Sequence, residues 1–433
     1  MLKVFRKLWN DRRGNALIIA GASLPLVMGA AGLASDTIQW ALWKRELQRA
    51  ADSAAIAGVY AKIQGTGYQD AVRRDLAHNN HAADFTVNTN MENSPTTGSY
   101  TSDSYAVRVA LAAQKKLNFS SMFMSSVPTI RASATATIVP TGDYCVVSLE
   151  STATTGISVG GTASVDLGCG MITNSTSLNA AVAFGNAEVD ASPIAAVGGI
   201  NASSNWGDDV QLLPFTLAQA DPFAGINPPT PSGCQTFSSY DVGSNNKPGG
   251  VVDLSSQTGT ICLKENGGSP ATLDIKGDIR LGAATYVLDA TSLKMSNTSA
   301  KLSCNGCTII LTSSTAATNP SSIGTVSLQG GEVDLIAPST GPYKGIAIYQ
   351  DRRALNSSSA MNIINGNSNS SYRGAFYFPN QEMLFNGTSG ISTACVQMVA
   401  RRVTFSGTSN ISNVCPAGSG ASSFKGRSVR LVE

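Results

Sequence analysis

Eight cysteines carry the most legible chemistry in this 433-residue chain. Cys145, Cys169, Cys234, Cys262, Cys304, Cys307, Cys395 and Cys415 all lie in the last two thirds of the sequence. An even number of thiols on the exported side of a membrane pairs into disulfides. Two of them close copies of one phrase, FNGTSGISTAC (Phe385 to Cys395) and FSGTSNISNVC (Phe405 to Cys415), and a third copy, VGGTASVDLGC, runs from Val159 to Cys169. If the copies are strands stacked about 4.8 Å apart, Cys395 and Cys415 share one slot of consecutive rungs, within reach of a disulfide. Nearest-neighbour pairing then joins Cys145 to Cys169, Cys234 to Cys262 and Cys304 to Cys307. The last is a Cys-x-x-Cys with a redox-active alternative, but no thioredoxin-like βαβ pattern surrounds it.

The remaining reactive groups are sparse. Arg352 and Arg353 (in QDRR), Arg373, Arg401 and Arg402 are the charged constellation of the second half. On one face they would bind an acidic glycan; dispersed, they would be corner residues and salt bridges. His78 and His81 are the two histidines, and a His-x-x-His without nearby cysteines or carboxylates reads as a solvated helix end rather than a zinc site. Neither an Arg-x-Pro-x-x-Arg string nor adjacent aspartates with a His-Gly occurs. The expectation is therefore no catalytic residue, no metal and no cofactor, with a polysaccharide-cleaving enzyme as the alternative.

Something must position these groups, and composition limits what. Charged residues make up 13% and aromatics 6%, with a net charge of +2. That argues against a nucleic-acid partner, which needs a concentrated basic field. Lys3, Arg6, Lys7, Arg12 and Arg13 precede an uncharged run, GNALIIAGASLPLVMGAAGLAS, from Gly14 to Ser35. About 20 apolar residues suffice to cross a bilayer, and the cations keep residues 1–13 cytoplasmic. Trp40 and Trp43 fall where an interfacial aromatic belt belongs. Gly32-Leu33-Ala34 offers the rival reading of a cleaved signal peptide. Either way, the bulk of the chain is exported.

Residues 36–63 continue as an extended helix. Leu47, Ala50, Ala51, Ala54, Ala55 and Gly58 recur at three-to-four spacing and make one narrow, small-residue face. Such a face lets a partner helix, from a second copy or another protein, approach closely; equally, the helix lies on its own domain. Together, RRGNALIIAGASLPLVMGAAGLASD and LQRAADSAAIAGV resemble the amino-terminal segment of TadG-like proteins of the tight-adherence (Flp) pilus system. The shared features are the basic doublet and glycine, the mid-helix Pro25, the acidic Asp36 and the Ala-Ala-Asp-Ser-Ala-Ala phrase. The resemblance implies a bacterial inner-membrane protein, single-pass with its amino terminus cytoplasmic, working with other pilus-assembly proteins. Ile19 stands where prepilin relatives carry a processing glutamate. DLSSQ and DASPI depart from the Asp-x-Ser-x-Ser of integrin-type metal sites, so neither prepilin processing nor that metal site is expected.

Residues 64–140 read as a small α+β segment: a short helix, a strand, an alternating strand followed by a short apolar helix, and a further strand. From 141 to 425 short alternating strands such as TIILT, GIAIYQ and AFYFP are separated by Gly, Asn and Ser corners. A phrase recurring every 20–25 residues suggests stacked coils. The expected fold is mainly β, with the transmembrane helix, the α+β segment and a right-handed parallel β-helix-like solenoid; a β-sandwich is the alternative. The proline-rich stretch from Trp206 to Pro231 breaks the repeat as a linker or a strap, and residues 426–433 are read as a tail. The function this implies is a structural component of pilus assembly, with a surface adhesin or glycan-binding β-helix as the alternative.

Overall fold

The computed structural model describes residues 12–78, 86–237, 251–265, 270–357, 361–366, 369–388, 391–393, 395–408, 410–413 and 423–433. It falls into two compact units: residues 1–139 with 429–433, and residues 140–428.

In the first unit a 52-residue helix, α1 (Arg12–Ile63), precedes α2 (Tyr68–His78). At 1.5 Å per residue α1 is about 78 Å long. The two segments read from the sequence, 14–35 and 36–63, are one helix, with Pro25 inside it. Among the described residues no helix is long and apolar enough to cross a membrane; the side chains of residues 12–18 and 20 lie outside the description. Strands β1 (Thr86–Asn93), β2 (Val107–Gln114) and β3 (Thr129–Ser148) pair antiparallel in that order.

Alternate residues of β2 and of the start of β3, Thr129 to Ala134, are buried, which is the period of two expected of a sheet with one covered face. Val107, Val109 and Leu111 meet Leu47, Ala50, Ala51, Ala54, Ala55 and Val59 in one core cluster. Of the two readings of the small-residue face of α1, a partner helix or the helix lying on its own domain, the structure has the second: this chain's own sheet covers it. Small residues are needed because the approach is close: a Cβ on Gly58 would lie 2.8 Å from Val107 Cγ1.

Two expectations need correction. The short apolar helix after β2 is only a three-residue 3-10 turn, Ser120–Met122. The carboxyl-terminal tail is no loose end: Val432 N donates to Thr135 O (2.9 Å), and Thr135 N donates to Glu433 O (2.7 Å).

The second unit is built of short strands that pair in parallel. One ladder, A, runs in space through strands at 235–237, 259–265, 284–289, 308–312, 346–350, 375–377, 396–400, 146–148, 170–173, 194–196 and 212–213. A second, B, includes 361–366, 382–388, 402–408, 157–159 and 181–183. A third set includes 278–281, 301–305 and 332–336, and separately 391–393, 410–413, 164–166 and 188–190.

Spatial order therefore differs from chain order. The strand at 396–400, late in the sequence, pairs with the end of β3, where the chain enters the unit. From Leu213 the chain must return to Gln235 at the other end of ladder A. Ten spacings of about 4.8 Å make about 48 Å, and the twenty-odd intervening residues can reach about 70 Å extended.

The repeated phrase follows from this order. Phe385 pairs with Phe405, Phe405 with Val159 and Val159 with Ala183. Ile391 pairs with Ile411, Ile411 with Val165 and Val165 with Val189. The three copies are neighbours in space although the third precedes the others in the chain. Gly407, Gly161 and Gly185 all turn the corner at φ between 74° and 82°, a conformation that favours glycine. The carbonyl of Gly407 accepts from Thr162 N and that of Gly161 from Asn186 N. Phe385 and Phe405 are fully buried, ring centroids 6.2 Å apart.

Candidate functional site

Two polar constellations hold the second unit, and both use the arginines singled out above. The first lies on the outer side of ladder A. Strands such as TIILT and IAIYQ are buried at every position, because one face looks into the main core and the other into a separate cluster. That cluster contains Tyr144, Val147, Ile310, Tyr343, Tyr349, Tyr377 and Val399, with Leu213, Phe223, Ile226 and Phe424 packed on it. The proline-rich stretch is thus a strap laid along the ladder. Its prolines all follow its one paired strand, Leu212–Leu213, so they remove no ladder hydrogen bond.

Tyrosines and one arginine pin this strap. Tyr343 Oη donates to Asn227 O and Tyr349 Oη to Ile226 O, both at 2.8 Å, and Tyr377 Oη donates to Asp221 Oδ2 at 2.7 Å. Arg352 donates to the carbonyls of Ala224 (2.6 Å), Phe223 (3.0 Å) and Ile226 (3.0 Å), and to Tyr377 Oη (3.1 Å). Phe223 meets Tyr377 edge-on at 5.4 Å. Burial pushes the Tyr349 hydroxyl up to about 12, and burial with Asp221 beside it raises Tyr377 further. Both remain neutral donors at any physiological pH. Replacing Arg352 with alanine leaves three strap carbonyls short of a charge-assisted donor, and such bonds net about 1.5–3 kcal/mol each without adding in full. The expected outcome for Arg352→Ala is about 2–4 kcal/mol lost in urea unfolding, with faster hydrogen exchange on the strap amides around Ile226.

The second constellation sits where the late strand meets the entering one. Glu150, 1% exposed, accepts from Arg401 Nε (2.9 Å), Arg402 Nη1 (3.2 Å), Thr152 N (3.1 Å) and Thr152 Oγ1 (2.8 Å). Arg402 Nε also donates to Glu382 Oε2 at 3.4 Å. Burial by itself would raise the Glu150 carboxyl; the hydrogen bonds from Arg401 and Thr152 outweigh it and hold the group at about 2.

Four of these five arginines have partners within the unit. Arg352 is spent on the strap, Arg353 on the buried Asp351 and Arg401 with Arg402 on Glu150. Nε of Arg373 is buried and has no partner among the described residues. Burial disfavours ionised Asp351, yet Arg353 and Thr312 keep its carboxyl below the usual range. The reading of these side chains as corner residues and salt bridges fits their positions.

Three disulfides match the register-based pairs: Cys145–Cys169, Cys234–Cys262 and Cys304–Cys307, with Cα separations of 5.8, 4.4 and 6.0 Å. The first two join consecutive strands of the stack; the third closes a corner. Cys395 is disulfide-bonded, while Cys415 lies outside the described residues. His78 is the exposed last residue of α2, and His81 lies outside the described residues. Among the described residues no group of three or more His, Cys, Asp or Glu side chains converges on a metal position.

Glu150, Asp221, Tyr349 and Tyr377 were not singled out by sequence reasoning. A signal existed for the tyrosines: IAIYQ and AFYF carry apolar or aromatic residues at consecutive positions, the mark of a strand covered on both faces.

Residues 14–61 match the family model "Tad: Putative Flp pilus-assembly TadE/G-like". Neither a curated protein nor a solved structure matches the chain.

Proposed function

We propose that this protein is an inner-membrane-anchored structural component of Flp (tight-adherence) pilus assembly, whose exported body is a right-handed parallel β-helix. The observation that carries the role is the TadE/G-like match over residues 14–61. The reading of the body rests on parallel ladders advancing by about one phrase per strand, with the handedness that parallel crossovers almost always take.

Anchoring is supported by the surface of α1. Leu24, Leu26, Val27, Met28 and Leu33 are each more than half exposed; at about 100° per residue they point to several sides of the helix, an apolar surface that needs a cover. The uncharged run from Gly14 to Ser35 would extend about 33 Å as a helix, enough for the hydrocarbon core. It begins ahead of the residues whose side chains are described. Residues 1–13 then remain cytoplasmic, and the rest is periplasmic or exported.

The role is structural and not catalytic. Its support is the way the charged groups of the second unit are used, on one another and on the strap carbonyls. Deleting the gene in its host is expected to abolish pili and surface adherence, restored by the intact chain but not by a chain starting at Asp36 behind a cleavable leader. Normal piliation in the deletion strain would overturn the role. A mature amino terminus at Ser35 would overturn the anchor alone.

A further inference from the structure

We propose that the loop Leu117–Met124 is a second membrane contact, which inserts Met122 and Phe123 into the exported-side surface of an anionic phospholipid bilayer. The inference rests on the anchor reading of α1 and adds a site to it. Met122 and Phe123 are each 76% exposed and Met124 is 48% exposed. Three consecutive large apolar side chains at a loop tip are unusual on a surface facing water.

The tip is not loose. Both carboxylate oxygens of Asp36, a residue only 3% exposed, accept from Phe119 N at 3.1 Å, and one accepts from Ser120 N as well. The Phe119 ring lies on the bare backbone of Gly32, where a Cβ would come within 2.4 Å of it. Phe119 in turn packs on Phe123 with ring centroids 5.4 Å apart. These contacts fix the loop beside residues 32–36 of α1, at the exported end of the apolar run. Gly32 lies about 4.5 Å inside that end, so the tip sits at the depth where interfacial apolar groups enter the headgroup boundary.

Charge and continuity point to lipid as the occupant. Lys115 and Lys116 precede the tip, and Lys115 Nζ stands 4.9 Å from the centroid of the Trp43 ring. An indole with an ammonium beside it suits the interface, where the ring has one apolar and one wet side. Leu24, Leu33 and Ile38 of α1 are also exposed, and the tip is held beside Gly32 and Asp36 of the same helix, so one bilayer would cover both. Anionic headgroups would meet the two lysines.

The test uses the full chain reconstituted into vesicles with and without phosphatidylglycerol. Among the described residues no cysteine is free, so Phe123→Cys, and separately Leu24→Cys, can each take one environment-sensitive fluorophore under non-reducing conditions. Both sites are exposed, so the labels leave the core intact. The expected result at position 123 is quenching by lipids carrying a shallow nitroxide, and at position 24 quenching by a deep one. Removing either lysine, as Lys115→Gln or Lys116→Gln, should weaken insertion of the tip by about fivefold in the anionic vesicles and leave position 24 unchanged. Quenching at 24 without quenching at 123 would overturn this inference and leave the anchor standing. Quenching at neither would overturn both. Protection of 123 only when another envelope protein is added would mean a protein occupant and would overturn the lipid one.

Discussion

Glu150→Ala is expected to destabilise the second unit by about 3–5 kcal/mol, the cost of leaving buried charges without their partner. Arg401 and Arg402, with side chains 26% and 18% exposed, would face a hole where a carboxylate sat. The damage falls where the late strand at 396–400 meets the entering strand at 146–148. Glu150→Gln keeps the shape and loses the charge, so it should lie between wild type and alanine. The pH dependence has a definite sign. The carboxyl titrates near 4.3 when unfolded and is held at about 2 when folded. A depressed folded value means stability that is fully present above about pH 5 and declines as the pH falls toward 2. Urea unfolding of wild type and Glu150→Gln across pH 7 to 3 should show a gap that narrows only below about pH 4.5. A constant gap, or one that widens in acid, would mean that the ion pairs are not what joins the two strands.

Phe405→Ala should cost a similar amount, about 3–5 kcal/mol. The ring is fully buried and sits in register between Phe385 on one side and Val159 on the other. Its removal leaves a cavity that neighbours on a rigid parallel ladder cannot collapse to fill. Phe405→Leu keeps most of the volume and should cost less, roughly 1–2 kcal/mol. Phe385→Ala and the double variant should be less than additive, because the two rings touch. A denaturation midpoint unchanged in Phe405→Ala would mean that the phrase repeats for another reason than a shared interior slot.

Sequence reasoning reached the local rules of this molecule. The recurrence of Phe, Gly and Ile at fixed offsets determines which residues occupy equivalent slots, because a parallel stack repeats one environment at each rung and so selects one residue type there. Two disulfide pairs, Cys145–Cys169 and Cys234–Cys262, follow the same logic, since slots one repeat apart are a few ångströms apart; Cys304–Cys307 is a local corner that nearest-neighbour pairing reaches. The small-residue face of α1 was also legible as a face, since its periodicity is a property of the helix alone.

What covers a face is another matter. Leu47 to Gly58 would suit a partner helix or a sheet equally, and only the placement of β2 and β3 decides for the sheet. The order of strands in space was likewise beyond the sequence. The resemblance of Val159–Cys169 to Phe405–Cys415 says that the two occupy similar environments; it does not say that one lies directly on the other. That adjacency comes from the strap, which carries the chain back along ladder A so that its late strands end under its first. The arginines show the same division. Their charge and spacing permit a glycan-binding face, but the carbonyls of Phe223 to Ile226 and the carboxylate of Glu150 are brought to them by this return path. A single chain can read its neighbours along the sequence from composition and period; the partners of a buried charge are set by which distant segment the fold lays across it.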